Sequence, residues 1–253
     1  MSEPIRTTRR EVLRGGAAAA LLGSVAVAPA LATAAVAKAK RRRVLRLAHL
    51  TDAHVQEARG GGEGLAACLH HAQDQPDKPG LIVFGGDNVM NVDSRDGSKT
   101  AKEQLAVFHK AVREACDLPY RITIGNHDVL RMHPVEGKKW AVDAYGLPDR
   151  FYRFDQAGWR FVVLDSTTPT GGGYKGRLDD LQFEWLAGVL AATPATMPIC
   201  LISHIPILAV CPFLDGNNEE TGDWRVPGAW MHIDARRLKD LFHRHPNVKL
   251  SLS

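Results

Sequence analysis

Four short stretches of the sequence gather oxygen and nitrogen donors: "TDAH" with Asp52 and His54, "GGDN" with Asp87 and Asn88, "GNHD" with Asn126, His127 and Asp128, and "SHIP" with His204. Carboxylate, imidazole and amide oxygen without thiolate favour a catalytic site for Mn, Fe or Zn over a calcium site or a Cys-rich structural zinc. Asp52 and His54 stand at alternate positions just past an apolar run. In extended chain both side chains project to one side, where they can grip one ion. Asp87, midway along the series, can bridge two ions. Two divalent cations less Asp52, Asp87 and one bridging hydroxide leave about one positive charge, which attracts an anion such as phosphate. Asn126 supplies an oxygen without cancelling that charge.

Each stretch follows an apolar run that reads as a buried strand. Strands are predicted over 44–50, 81–86, 120–125 and 197–204, and apolar residues recur at helical spacing over 64–73, 99–116, 178–192 and 234–245. "FYRFDQAGWRFVVLDS" (151–166) reads as a hairpin turning at Gln156–Gly158, which predicts a second, more antiparallel sheet. "NVKLSLS" (247–253) begins a last strand. Alternating strands and helices predict an α/β fold with helices covering parallel strands. Sites in such sheets form beyond the carboxyl ends of strands, where all four donor stretches fall.

The 253 residues, 45% hydrophobic and 24% charged, suffice for a substantial core. Residues 1–34 hold four Arg and two Glu, so the remainder carries 28 basic against 26 acidic side chains. That balance, with no interleaving of basic and aromatic residues, gives no reason to expect nucleic acid. "TTRREVLRGG" (7–16), "AAAALLGSVAVA" (17–28) and small residues around Ala30, Ala32 and Ala34 form an export signal. The paired Arg9-Arg10 resembles a twin-arginine signal, which carries folded proteins to the periplasm or cell exterior. The domains expected are this signal over 1–34, a basic linker over 35–43 and one domain over 44–253. The apolar stretch is too short for a stable membrane span. The four cysteines, Cys68, Cys116, Cys200 and Cys211, have no zinc-like spacing; an exported protein can form disulfides from them or keep four thiols.

D-x-H, then G-D-x, then G-N-H-D, then a lone His after a strand is similar to the calcineurin-like metallophosphoesterases, over residues 47–253. The resemblance implies two packed mixed β-sheets flanked by helices. It implies two divalent or trivalent metal ions, with Asp52 and His54 on the first, Asp87 bridging, and Asn126 and His204 on the second. His127, oriented by Asp128, would act on a phosphoryl or leaving-group oxygen as a metal-bridging hydroxide attacks phosphorus. The family pattern closes with Gly-His-x-His after one more strand. Residue 253 ends before that motif, so either the sequence is part of a longer chain or the site is short of one His per ion. In the second case a phosphate- or nucleotide-binding protein, or an inactive fragment, stands beside the enzyme. "GRLDDLQFEWL" (176–186) resembles the cyclic-nucleotide and glycerophosphodiester phosphodiesterase branch, which implies a small phosphoester substrate of nucleotide-like kind; the helical spacing of Leu181, Trp185 and Leu186 equally predicts core. The long segment 207–232 reads as a lid or specificity loop. Asn217, Asn218 and Trp224 within it, and Asn88 beside Asp87, are candidate substrate contacts. His49 is expected beneath the site, His133 away from it, and Asp165 in a turn or supporting position.

Overall fold

The computed structural model describes residues 43–253 except 94–97, 131–133, 172 and 215–219. The expected export signal, Asn217, Asn218 and His133 lie outside the described residues. Three parallel strands, β1 (Leu47–Leu50), β2 (Leu81–Phe84) and β3 (Tyr120–Ile122), form one sheet in the order β1-β2-β3. The crossovers hold α1 (Gly61–Gln73) and α2 (Ser98–Ala115), and α3 (Pro134–Tyr145) follows the sheet. A second sheet runs β4-β5-β8-β9, from β4 (Tyr152–Gln156), β5 (Trp159–Leu164), β8 (Ile199–Ser203) and β9 (Val248–Leu252). Between its strands come the hairpin β6 (Thr167–Thr170) and β7 (Gly173–Gly176), then α4 (Asp180–Ala192) and α5 (Ala235–His243).

Period-two side-chain alternation builds three apolar layers from these strands. On β2, Ile82 and Phe84 face Leu65, Leu69, Phe108 and Val112 of the first helix pair. Leu81 and Val83 face the other way, against Phe161, Val163, Cys200 and Ile202 of the second sheet. The opposite faces of β5 and β8, through Val162, Leu164, Ile199 and Leu201, meet Leu186 and Leu190 of α4 and Leu238 and Leu241 of α5. Both sheets are thus covered on both faces, which is why their central strands read as continuous apolar runs.

The architecture is the mixed α/β arrangement expected, with local differences. The β4–β5 hairpin turns at Ala157 (φ 51°) and Gly158 (φ 80°), the left-handed pair that a tight two-residue hairpin needs. Yet β5–β8 and β8–β9 pair in parallel, so the second sheet is mostly parallel, contrary to the more antiparallel sheet expected. Helix α3 and the β6–β7 hairpin had no counterpart in the sequence reading. Strands β2 and β3 stop two and three residues before their expected ends. The four cysteines are free thiols, and among the described residues no helix is long and apolar enough to cross a membrane.

Asp165 is a structural joint. Its buried carboxylate accepts from Lys138 Nζ at 2.6 Å and Arg150 Nη1 at 2.8 Å, and its backbone bonds both ways with the Gln182 amide. These contacts lock α3 and α4 to the end of β5. Asp179 caps α4 by accepting from Gln182 N. Of the "LQFEWL" residues, Gln182 and Leu186 are buried, whereas Leu181 is 69% exposed, against the expectation that it packs in the core. Asp180 and Asp179 head the helix, and Leu181 falls on its outer side.

Candidate metal centre

Beyond the ends of β1 and β2 the two chains stay paired through their loops. Asp52 N donates to Gly86 O, His54 N to Asp87 O and Val55 N to Asn88 O, all at 3.0–3.1 Å. This pairing carries Asp52 (φ 56°), His54 (φ 45°) and Asp87 (φ 49°) in the left-handed region. Non-glycine residues adopt that region at a cost, and such residues cluster at functional sites. Two glycines make the close approach feasible. A Cβ on Gly86 would stand 2.6 Å from His204 Nδ1, and one on Gly125 would stand 2.2 Å from Asp87 N.

Three imidazoles direct Nε2 toward the Asp87 carboxylate. His204 Nε2 is 3.3 Å from Oδ1, His54 Nε2 3.8 Å from Oδ2 and His127 Nε2 3.9 Å from Oδ2. His204 Nδ1 meets the Gly85 carbonyl at 3.1 Å, and His127 Nδ1 meets the Met90 carbonyl. A carbonyl on one ring nitrogen fixes the proton there and leaves the lone pair on the other, the usual arrangement of a metal-binding histidine. Asn126 Oδ1 lies 3.1 Å from His204 Nε2, and His54 Nε2 is also 3.8 Å from Asp52 Oδ1.

The donors fall into two overlapping groups, His54–Asp87–His127 and Asp52–Asp87–His204, each with its ligand atoms within 4.8 Å of one another. Asp87 is common to both. The pairs that the resemblance implies are also close, Asp52 with His54 at 3.8 Å and Asn126 with His204 at 3.1 Å, while Asp52 groups with His204 and His54 with His127 around Asp87. Oxygen and imidazole donors converging at this spacing, with the second nitrogens of His204 and His127 held by carbonyls and that of His54 buried without a partner, fit a pair of borderline cations. Burial opposes charge on His204, but the adjacent Asp87 carboxylate outweighs it and holds the His204 pKa above the ordinary histidine value. Burial likewise pushes Asp87 upward, but the His204 imidazole and the His127 backbone N–H, both bonded to its carboxylate, reverse this and leave its pKa below the ordinary carboxylate value.

Two expected roles change. Asp128 does not orient His127, whose ring is held by Met90. Its wholly buried carboxylate accepts from Asn88 N (3.0 Å), Asn88 Nδ2 (3.0 Å), Gly125 N (2.9 Å) and the Tyr145 hydroxyl (2.7 Å). Asn88, offered above as a substrate contact, is itself buried, its amide committed to Asp128 and the Thr123 carbonyl. The side chain beside Asp87 turns inward because its neighbour needs an anchor.

A cavity of about 330 Å³ opens on the donors, lined by Asp52, Asp87, Asn126, His127 and His204. Thr51, Tyr174, Ile205, Pro206, Ala229 and Ser253 complete it; Ile205 and Pro206 follow His204 in "SHIP" and Ala229 lies in the 207–232 segment, whereas Tyr174 lies in no stretch the sequence had marked. Trp224 does not line it; the ring is 40% exposed and packs on Phe213 at 5.0 Å. His49 is half-buried nearby, its Nε2 without a partner and its pKa lowered by burial.

The model of a protein family described as calcineurin-like phosphoesterase matches residues 45–250. The 3',5'-cyclic adenosine monophosphate phosphodiesterase CpdA of Escherichia coli K12 is 29% identical over 179 residues, covering 68% of this chain and 59% of the relative. CpdA of Escherichia coli O157:H7 gives the same figures. The chain thus spans 59% of the length of these curated relatives. Among solved structures, phosphopantetheinyl hydrolase (PptH) from Mycobacterium tuberculosis aligns with a TM-score of 0.41 and 12% identity, covering 73% of this chain and 74% of that one.

Asp128→Ala should lower stability by about 3 kcal/mol, since it strands several buried donors, and weaken Mn²⁺ binding about 10- to 100-fold. His127→Ala should leave stability within about 1 kcal/mol of wild type. Denaturant unfolding and metal titration read both, and equal stability losses would contradict the separation of roles. The raised His204 pKa also sets a pH dependence. In the metal-free protein its proton stabilises the fold below about pH 6.5, and that contribution is lost as pH rises through the raised value. Metal must displace the same proton, so Mn²⁺ affinity should climb with pH through that value and then level off. Calorimetric titration at a series of pH values, returning a flat affinity from about pH 6 to pH 9, would refute the coupling.

Proposed function

The chain belongs to the calcineurin-like phosphoesterase family, and from that premise we infer that it is a metal-dependent phosphoesterase acting on phosphodiesters. The observation that carries this reading is Asp87 as the shared member of two donor groups, with three histidine Nε2 atoms turned toward it. Asp52, His54, Asp87, Asn126 and His204 would hold the ions. Bound there, two ions supply Lewis acidity to phosphoryl oxygens and lower the pKa of a water. His127 reaches the cavity with Nδ1 held by the Met90 carbonyl; in its imidazolium form its Nε2–H can donate a hydrogen bond to a phosphoryl oxygen or a proton to the departing alkoxide.

Charge favours diester over monoester. No Lys or Arg is among the described residues lining the cavity. A phosphomonoester dianion would find no Lys or Arg counter-charge there beyond the ions, whereas a diester carries a single negative charge. The name of the CpdA relatives, a cyclic-nucleotide phosphodiesterase, points the same way. Export completes the reading: residues 1–34 would carry the folded, metal-loaded domain to the periplasm or exterior by the twin-arginine route.

With Mn²⁺, bis(p-nitrophenyl) phosphate should be hydrolysed with a kcat/KM at least about tenfold above that of p-nitrophenyl phosphate. His127→Ala should lower kcat by about 10²- to 10⁴-fold with metal retained. Loss of metal together with turnover would make His127 a ligand instead, and phosphate binding without turnover of either ester would make the protein a binder. For export, replacing Arg9 and Arg10 with Lys should hold the protein in the cytoplasm on cell fractionation; unaltered export would exclude the twin-arginine route.

A further inference from the structure

The cavity has two unlike walls. One is the set of charged and polar donors already described. The other is Tyr174, Ile205, Pro206 and Ala229, and among the described lining residues Tyr174 supplies the one aromatic ring that is not an imidazole. A phosphoryl group held by the donors would have those residues within the same cavity to receive its organic substituent. We propose that Tyr174 is the specificity residue of the site, its ring receiving a planar aromatic substituent of the ester, such as a nucleobase or aryl group. The inference rests on the phosphoesterase reading and names its substrate class.

The fold holds this ring in place. Tyr174 is half-buried on β7 and lies opposite Pro169 in the hairpin ladder. A two-stranded hairpin is a weak support by itself, but the base of this one is fastened. Gly176 N donates to Gly228 O at 2.7 Å, Ile233 N to Gly176 O at 2.8 Å, and Arg177 N to Ser166 O at 2.9 Å. A Cβ on Gly176 would stand 2.6 Å from Ile205 Cγ2, so the hairpin packs directly on the residue after His204. Ring and donors therefore belong to one connected frame, and the Gly228–Ile233 segment that fastens the hairpin also presents Ala229.

The chemistry favours a flat partner. A tyrosine ring offers a large, rigid contact face with few rotatable bonds to immobilise. Stacking of one base on such a ring typically strengthens binding by about tenfold or more, and it tolerates any base because each has a π-face. Ile205, Pro206 and Ala229 add apolar area that an alkyl substituent can use equally well. Discrimination between aryl and alkyl esters thus falls to the ring.

Two esters with a common leaving group isolate the effect: phenyl p-nitrophenyl phosphate and methyl p-nitrophenyl phosphate, each assayed on the full chain with Mn²⁺. Wild type should prefer the phenyl ester in kcat/KM, mainly through KM. Tyr174→Leu should lower that preference about tenfold, and Tyr174→Phe should keep it. A preference unchanged in Tyr174→Leu, or lost equally in Tyr174→Phe, would overturn the assignment. Binding supplies a readout apart from turnover, as the ratio of Kd for methylphosphonate to that for phenylphosphonate on the Mn²⁺-loaded protein. If neither ester is hydrolysed yet this ratio is high in wild type and falls in Tyr174→Leu, the hydrolase reading fails and the role of the ring stands. If wild type binds both phosphonates alike, the role of the ring fails.

Discussion

A single buried carboxylate governs the geometry of the whole site. Asp128 has no solvent exposure, and leaving such a group unpaired would be costly. Its two oxygens take up the Asn88 backbone and side-chain N–H groups, the Gly125 N–H and the Tyr145 hydroxyl. Those donors come from the loop after β2, the loop after β3 and the last residue of α3. One anion therefore fixes Asp87 relative to Asn126 and His127, although it touches none of their side chains. Burial raises the Asp128 pKa against the donors that stabilise its charge.

Strain and satisfaction are divided between two shells. Three of the donor residues, Asp52, His54 and Asp87, carry left-handed backbone. Behind them, the Asp128 carboxylate, the Asn88 amide and the Thr123 carbonyl make conventional hydrogen bonds in a buried setting, and the Thr123 hydroxyl has no partner. Ladder-like pairing of the two loops, from Asp52 to Gly86 through Val55 to Asn88, holds the unfavourable conformers in place. Loops that merely connected strands would relax. These are over-determined, as a site that must keep donors close without an internal cross-link requires.

Much of this was legible in the sequence. Donor types at strand ends announced the site because apolar strand runs and polar termini are local signals, and Asp52, Asp87, Asn126, His127 and His204 do line one cavity. The roles of Asn88 and Asp128 were not legible, since a polar residue beside a ligand looks the same whether it faces substrate or core. Tyr174 escaped notice for a different reason. Nothing in "GGGYKG" marks a strand or a site, and its place depends on the contact of Gly176 with Ile205, two residues distant in sequence and adjacent only in the fold. Leu181 misled because helical spacing does not say which side of the helix will meet the sheet.

The parallel ladders have a kinetic consequence. Leu47 meets Leu81, Ile82 meets Tyr120, and Ile199 meets Val248, so each of these pairings must wait for a long crossover to close; β4–β5 and β6–β7 pair through short turns. Contacts of such high order slow folding, and the donors of Asp87, Asn126 and His204 come from three different closures. Cations held by these residues would therefore be captured late in folding, where their binding free energy would latch the finished topology rather than seed it.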